Sequence, residues 1–203
     1  MDAAMGTTTK KSRERLFETA TRLFYSQGIN STGIDRVIAE AGAAKGSMYY
    51  HFHNKQALVA AYLRGQEAAW KRNAETADSP TADPSERVAR MFSIVANAVV
   101  NGTFHGCAFT NAIVECPNDE TIRNIVKDYR LTVGNHIAHL LGTHIGDPVV
   151  PQIMVLYDGA ITSAKQTHDA ALVEMASTMA QQLVERSHQS AGDSGQLAAS
   201  RAR

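Results

Sequence analysis

The sequence predicts an all-α protein. Three observations carry that reading. Apolar residues return at the i, i+3, i+4, i+7 spacing of a helix face along most of the chain, and no stretch alternates as a strand would. Capping and stop signals punctuate those faces, as in Asp83-Pro84-Ser85-Glu86 at a start and Gly28 or Gly42 at an end. The length of 203 residues and a hydrophobic content of 44% supply enough apolar surface for a real core.

From the N-terminus, residues 1–11 read as a disordered arm in which Lys10 and Lys11 are the only cations. A first helix over 12–27 carries Leu16, Phe17, Ala20, Leu23 and Phe24 on one side and stops at Gly28. The next helix shows Ile34, Val37, Ile38 and Ala41 at one-face spacing. It opens on Thr32 with Asp35 three residues later, a capping-box pattern, and Gly42 ends it. A third helix over 44–52 places Met48 and Phe52 one turn apart. Stepping about 100° per residue from Met48 puts Gly46, Ser47 and Tyr50 on the far side, with Lys45 and Tyr49 at its margin.

A short helix with one packing side and one small, cationic, hydroxylated and aromatic side suits the second helix of a helix-turn-helix, which enters the major groove from its N-terminal end. Asn54 is placed to cap a fourth helix over 54–77, with Lys55 in its first turn, where a phosphate would offset the cation's clash with the helix dipole. The charge distribution agrees. Up to Lys55 there are eight basic and five acidic residues, a balance of +3, while the remainder carries twelve and fifteen, a balance of −3. A basic head on an acidic body suits DNA at one end.

The run Ala41-Gly42-Ala43-Ala44-Lys45-Gly46-Ser47-Met48-Tyr49-Tyr50-His51-Phe52, followed by Asn54-Lys55, resembles the tetracycline-repressor (TetR) family of bacterial transcriptional regulators. The resembling region spans about residues 12–60. It implies a three-helix DNA-binding head over 12–55 and a ligand-binding and dimerisation domain over 56–186 that begins with the linking helix, with a disordered tail over 187–203. It also implies a homodimer on double-stranded DNA with a near-palindromic operator, released by an unknown small-molecule effector. One departure stands out. Ala44 occupies a position where members commonly carry a serine, so the reading helix is expected to lack a side-chain cap, a loss of about 1 kcal/mol. The DNA-facing set is then Thr32, Arg36, Lys45, Gly46, Ser47, Tyr49, Tyr50, His51 and Lys55.

Beyond the head, Asp78-Ser79-Pro80-Thr81-Ala82 reads as a linker. Helices follow with Val88, Phe92, Val95 and Val99; over 106–115; with Ile122, Ile125, Tyr129, Val133, Ile137 and Leu140; with Ile153, Leu156, Tyr157, Ala160 and Ile161 after Asp147-Pro148; and with Leu172, Val173, Ala176, Met179, Ala180 and Leu183 after Asp169. Gly106-Cys107, Asn111 and Leu156-Tyr157-Asp158-Gly159-Ala160 are further landmarks of the resemblance. Small residues at Gly159, Ala160 and Ala164 suggest close helix approach in a dimeric four-helix bundle.

Candidates for an effector pocket among the central helices are Trp70, Met91, Phe92, Phe104, Cys107, Phe109, Asn111, Val114 and Tyr129, mostly apolar with a few polar handles. Ordinary core packing is an equal alternative for each. Cys107, beside His105, also admits a thiol-sensing role. Cys107 and Cys116 on one helix would lie about 13.5 Å apart on opposite faces, which excludes a bond between them.

Other functions find less support. His136, His139 and His144 lack a defined ligand set, so no metal or other cofactor is expected. No Gly-rich phosphate loop, serine elbow or partnered acidic pair points to catalysis. No apolar run is long enough to span a membrane and Met1 to Thr9 has no signal-peptide core, so a cytoplasmic location is expected. The competing function is a helical small-molecule or thiol-based sensor without a specific operator. Lys45, Tyr50 and the helix-turn-helix spacing favour the regulator.

Overall fold

The computed structural model describes the backbone of residues 2–201 and the side chains of residues 11–189. Among the described residues the chain is all-helical, with α1 Asp2–Gln27, α2 Ile34–Glu40, α3 Lys45–Phe52, α4 Lys55–Ala77, α5 Pro84–Val100, α6 Ala108–Glu115, α7 Glu120–Leu141, α8 Val149–Thr167 and α9 Ala171–Arg201. None of these helices is long and apolar enough to cross a membrane. The chain forms two compact units, residues 1–70 with 107–129 and residues 71–106 with 130–203. It passes between them inside α4, in the loop before α6, and inside α7.

The first unit holds the start of the chain and α6. Leu16, Ala20, Leu23 and Phe24 of α1 are buried with Val37 of α2 and with Met48 and Phe52 of α3. Leu58, Val59, Tyr62 and Leu63 of α4 are buried as well, the Tyr62 ring meeting Phe24 edge-on at 5.6 Å. The helix starts follow the expected chemistry where a short polar side chain precedes them. Asn54 Oδ1 accepts from the Ala57 N–H at 2.8 Å.

In the second unit α9 packs against both α5 and α8. Its core includes Val88, Met91 and Phe92 of α5, Ile153 and Tyr157 of α8, and Val173, Ala180 and Val184 of α9. Asp83 caps α5 through the Ser85 N–H at 2.9 Å, with Pro84 in the first turn. Asp147 and Asp169 stand one residue further out and accept the first N–H groups of α8 and α9, those of Val149 and Ala171.

Three expectations need adjustment. The backbone is helical from Asp2 in α1 and to Arg201 in α9, over stretches read as a disordered arm and tail. Ala160 and Ala164, read as dimer-facing, are 3% and 0% exposed within the unit's own packing, whereas Met179 of the last helix is 49% exposed. The stretch read as a linker is pinned at its first residue. Arg87 Nε and Nη2 donate to the two carboxylate oxygens of Asp78 at 2.8 and 2.9 Å, and Arg87 Nη1 donates to the Leu140 carbonyl at 2.9 Å. Both side chains are nearly buried, at 11% and 9% exposure.

The Arg87 bonds hold the Asp78 carboxyl below the usual carboxylate range. The stabilisation is therefore present above that range and is lost as pH falls through the lowered native value. Removing one partner of such a pair leaves the other charge buried. Arg87→Ala is expected to lower unfolding free energy by about 3–5 kcal/mol in urea titrations at neutral pH, and by less in acid. A loss below about 1 kcal/mol at neutral pH would mean that the pair is solvated and incidental.

Candidate nucleic-acid interface

The reading unit is set by the turn between α2 and α3. Gly42 takes the left-handed conformation at φ +56°, its N–H donates to the Ala39 carbonyl, and the next N–H, of Ala43, donates to the Ile38 carbonyl. That pair of bonds is a Schellman stop, and it fixes the direction in which α3 leaves. Ala44 is the N-cap of α3 and gives it no side-chain cap, as the missing serine leads one to expect.

Eight residues are too few for a helix to persist alone, so α3 depends on what holds it. Met48 is fully buried and Phe52 is 4% exposed. The Arg13 guanidinium lies over the Phe52 ring, 5.4 Å from its centroid, and the Ser12 and Ser47 hydroxyls share a 2.7 Å hydrogen bond. This leaves Lys45, Gly46, Tyr49 and Tyr50 on the exposed side. Tyr50 stands out most, at 72% exposure against 44% for Tyr49.

Other residues expected at the interface are placed differently. Thr32 is fully buried, and its hydroxyl donates to the Gly28 carbonyl at 2.8 Å. It neither caps α2, whose N-cap is Gly33, nor offers a side chain to solvent. Ser47 is half-buried on Ser12. His51 is half-buried between the rings of Tyr50 and Phe52, at centroid distances of 5.0 and 6.3 Å. Arg36 donates to Glu40 at 2.7 Å and to Gln27 at 2.6 Å, while Arg22 donates to the other Glu40 oxygen at 2.6 Å. Those two arginines hold the Glu40 carboxyl below its ordinary range. Lys45 is paired with Asp35 at 3.2 Å, and both are well exposed. Asp35 and Glu40 were not among the expected site residues, although the i, i+4 spacing of Arg36 and Glu40 is visible in the sequence.

The comparisons with known proteins agree with this geometry. The family model "Bacterial regulatory proteins, tetR family" matches residues 16–62, which span α1 to the start of α4. The crystal structure of SCO4454, a TetR-family transcriptional regulator from Streptomyces coelicolor, is similar with a TM-score of 0.77 and 29% identity, over 88% of this chain and 96% of that one. The head of this chain is that of a TetR-family regulator. A putative TetR-family regulator from Streptomyces avermitilis is similar with a TM-score of 0.72 and 26% identity, over 86% of this chain and 97% of that one. The HTH-type transcriptional regulator LmrA of Bacillus subtilis is 39% identical over 79 residues, 38% of this chain, and the match spans 42% of LmrA's length. TetR-family members are DNA-binding transcriptional regulators, and the matched relatives are regulators rather than enzymes.

The nine effector-pocket candidates fall into two groups. Trp70, Cys107, Phe109, Asn111, Val114 and Tyr129 belong to the first unit, and Met91, Phe92 and Phe104 to the second. In the first, Phe109 stacks on Tyr129 at 3.6 Å with the rings 6° from parallel, and Trp70 meets Tyr129 edge-on at 5.8 Å. Asn111 and Cys107 are half-buried on or beside α6, and Val114 is 72% exposed. In the second, Met91 and Phe92 are core residues, with Phe92 edge-on to Tyr157 at 5.3 Å, and Phe104 is half-buried. The two cysteines flank α6 as free thiols. Burial, then Glu115 and Asp119, push the Cys116 thiol up, away from the thiolate form.

A contact that the sequence does not announce ties α6 to the head. Glu115, the last residue of α6, accepts the Asn30 N–H on its carboxylate at 2.7 Å and the Asn30 side-chain amide on its carbonyl at 2.9 Å. The carboxylate also lies against Gly28, where a Cβ would fall 3.1 Å from its oxygen and where φ is +94°. Glu115→Ala removes the acceptor of the Asn30 N–H, and a loss of about 1–3 kcal/mol in unfolding free energy is expected from denaturant titration. A change within about 0.5 kcal/mol would show that water replaces the carboxylate without cost.

Proposed function

We propose that the protein is a homodimeric repressor that reads a near-palindromic operator through α3 and is released from it by a small, mostly apolar effector. The observation that carries this reading is the division of α3 into a buried side, Met48 and Phe52, and an exposed side, Lys45, Gly46, Tyr49 and Tyr50. Lys45 reaches a phosphate or a guanine edge once Asp35 releases it, and Tyr50 offers its hydroxyl to phosphate and its ring to a thymine methyl. Lys55 takes a phosphate at the start of α4. Lys55→Ala should then weaken operator and unrelated DNA about equally and reduce the slope of log affinity against log salt by about one unit. An unchanged slope in an anisotropy titration would remove Lys55 from the interface.

The dimer is supported by the open face of α8 and α9. Val155 is 70% exposed and Met175 56%, and Val155 and Met179 line a groove of about 730 Å³ with Pro148, Pro151, Leu156 and Leu183. A second copy covering that face by two-fold symmetry would set two α3 helices on successive major grooves, roughly 34 to 36 Å apart or a multiple of one turn. Val155→Asp with Met179→Asp is expected to convert a dimer into a monomer in sedimentation at micromolar concentration. A wild-type monomer under those conditions would defeat the assembly proposed here.

The effector site of this reading is the Trp70, Phe109 and Tyr129 cluster, with Asn111 as its polar handle. Phe109, Asn111 and Glu115 share α6, so a ligand that shifts this helix acts on Asn30 and the α1–α2 loop through the Glu115 bonds. The shift in operator affinity cannot exceed the ligand's differential affinity for the two states. A coupling of about 1–3 kcal/mol corresponds to a roughly 5 to 150-fold loss. Asn111→Ala should blunt the response to a ligand found by thermal-shift screening while leaving ligand-free operator binding intact. Loss of ligand-free binding in that variant would instead make Asn111 a structural residue.

A further inference from the structure

The first unit contains a cleft where the α1–α2 loop, the start of α4 and the α6–α7 loop meet. It measures about 400 Å³ and is lined by Ile29, Asn30, Lys55, Val59, Cys116 and Ile122, among others. Ile29, Val59 and Ile122 are the apolar floor, each no more than 3% exposed. Gln56 and Asn118 supply amides at the rim, while the Asn30 amide is already bonded to the Glu115 carbonyl. Lys55 is half-buried on one side, and its ammonium closes no ion pair among the described residues. Its field acts instead on the Cys116 thiol. Asp119, also in the lining, is turned to cap α7 by accepting the Ile122 N–H at 3.1 Å.

An unpaired ammonium over an apolar floor, with amide donors at the rim, is complementary to one negative head group on a short apolar body. We propose that this cleft binds a small monocarboxylate, its carboxylate on Lys55 Nζ and its chain on Ile29, Val59 and Ile122. A dianion fits worse, because Glu115 and Asp119 stand close enough to act electrostatically on the same thiol that Lys55 does. The thiol of Cys116 is a wall of the site and not a nucleophile, since burial and those two carboxylates keep it protonated. Binding is therefore non-covalent. The occupant would also touch Asn30, the residue that Glu115 holds.

The test uses the full chain with labelled isoleucine δ1 methyl groups and sodium hexanoate as the probe. The Ile29 and Ile122 methyl signals should move saturably with hexanoate, and matched concentrations of 1-hexanol should move them at least tenfold less. Lys55→Met should raise the apparent dissociation constant at least tenfold, and Lys55→Arg should keep it within threefold. Asn118→Trp, at an exposed rim position, should block the cleft without touching the charge and keeps the test decisive if Lys55→Met fails to fold. Equal shifts with hexanol, shifts confined to other isoleucines, or an affinity that survives both Lys55→Met and Asn118→Trp would overturn the proposal. A carboxylate on Lys55 should also weaken DNA binding, a consequence that rests on the phosphate contact proposed for that residue. Saturable methyl shifts with unchanged DNA affinity would overturn the phosphate contact and leave the carboxylate site standing.

Discussion

The architecture of the head depends on one constraint: α3 is too short to be a helix on its own account. It exists because Met48 and Phe52 are buried, because Arg13 and Ser12 of α1 grip it from outside the core, and because the left-handed Gly42 aims it. Met48 and Phe52 use one side of the helix, and Ser47 is held at its margin. The opposite side is left free by necessity, and that is what makes a binding surface out of eight residues. A residue with a side chain at Gly42 would have to adopt the left-handed conformation at a steric cost, and the direction of α3 would no longer be fixed so cheaply.

The exposed side is not simply a row of free cations. Lys45 is held by Asp35, and Arg36 is divided between Glu40 and Gln27, so much of the head's basic charge is compensated within the free protein. Exposed pairs of this kind contribute little stability. Their effect is on binding: a phosphate must compete with Asp35 for Lys45, whereas Tyr50 needs no release. Among the expected contacts, the aromatic residue is therefore the better presented.

Local features were legible in the sequence because their causes are local. The starts of α4, α5, α8 and α9 follow from Asn54, Asp83, Asp147 and Asp169, each of which caps a backbone N–H two or three residues on. The two sides of α3 follow from its period. Thr32 misled because a capping-box pattern is two residues at a spacing, and nothing in that spacing reveals that the hydroxyl turns back to Gly28. Asp78 reads as the head of a polar linker until Arg87 is seen to grip it. The Glu115 contact with Asn30 joins residues 85 apart in the chain, and no periodicity or motif encodes it. The same limit applies to α8 and α9. Both have apolar residues on more than one face, and only the packing shows that Ala160 and Ala164 are used internally while Val155 and Met179 stay open.

The central claim is that α3 reads sequence through its exposed side while its buried side only holds it in place. Anisotropy titration of DNA flanking the protein's own gene, against an unrelated duplex of equal length, tests that claim with wild type and Tyr50→Ala. The wild type should prefer one near-palindromic segment by on the order of a thousandfold. Tyr50→Ala should lose about tenfold on that segment, in line with one base contact, and lose clearly less on the unrelated duplex, where only its phosphate contact is removed. Equal losses on both duplexes, or no loss on either, would contradict the account.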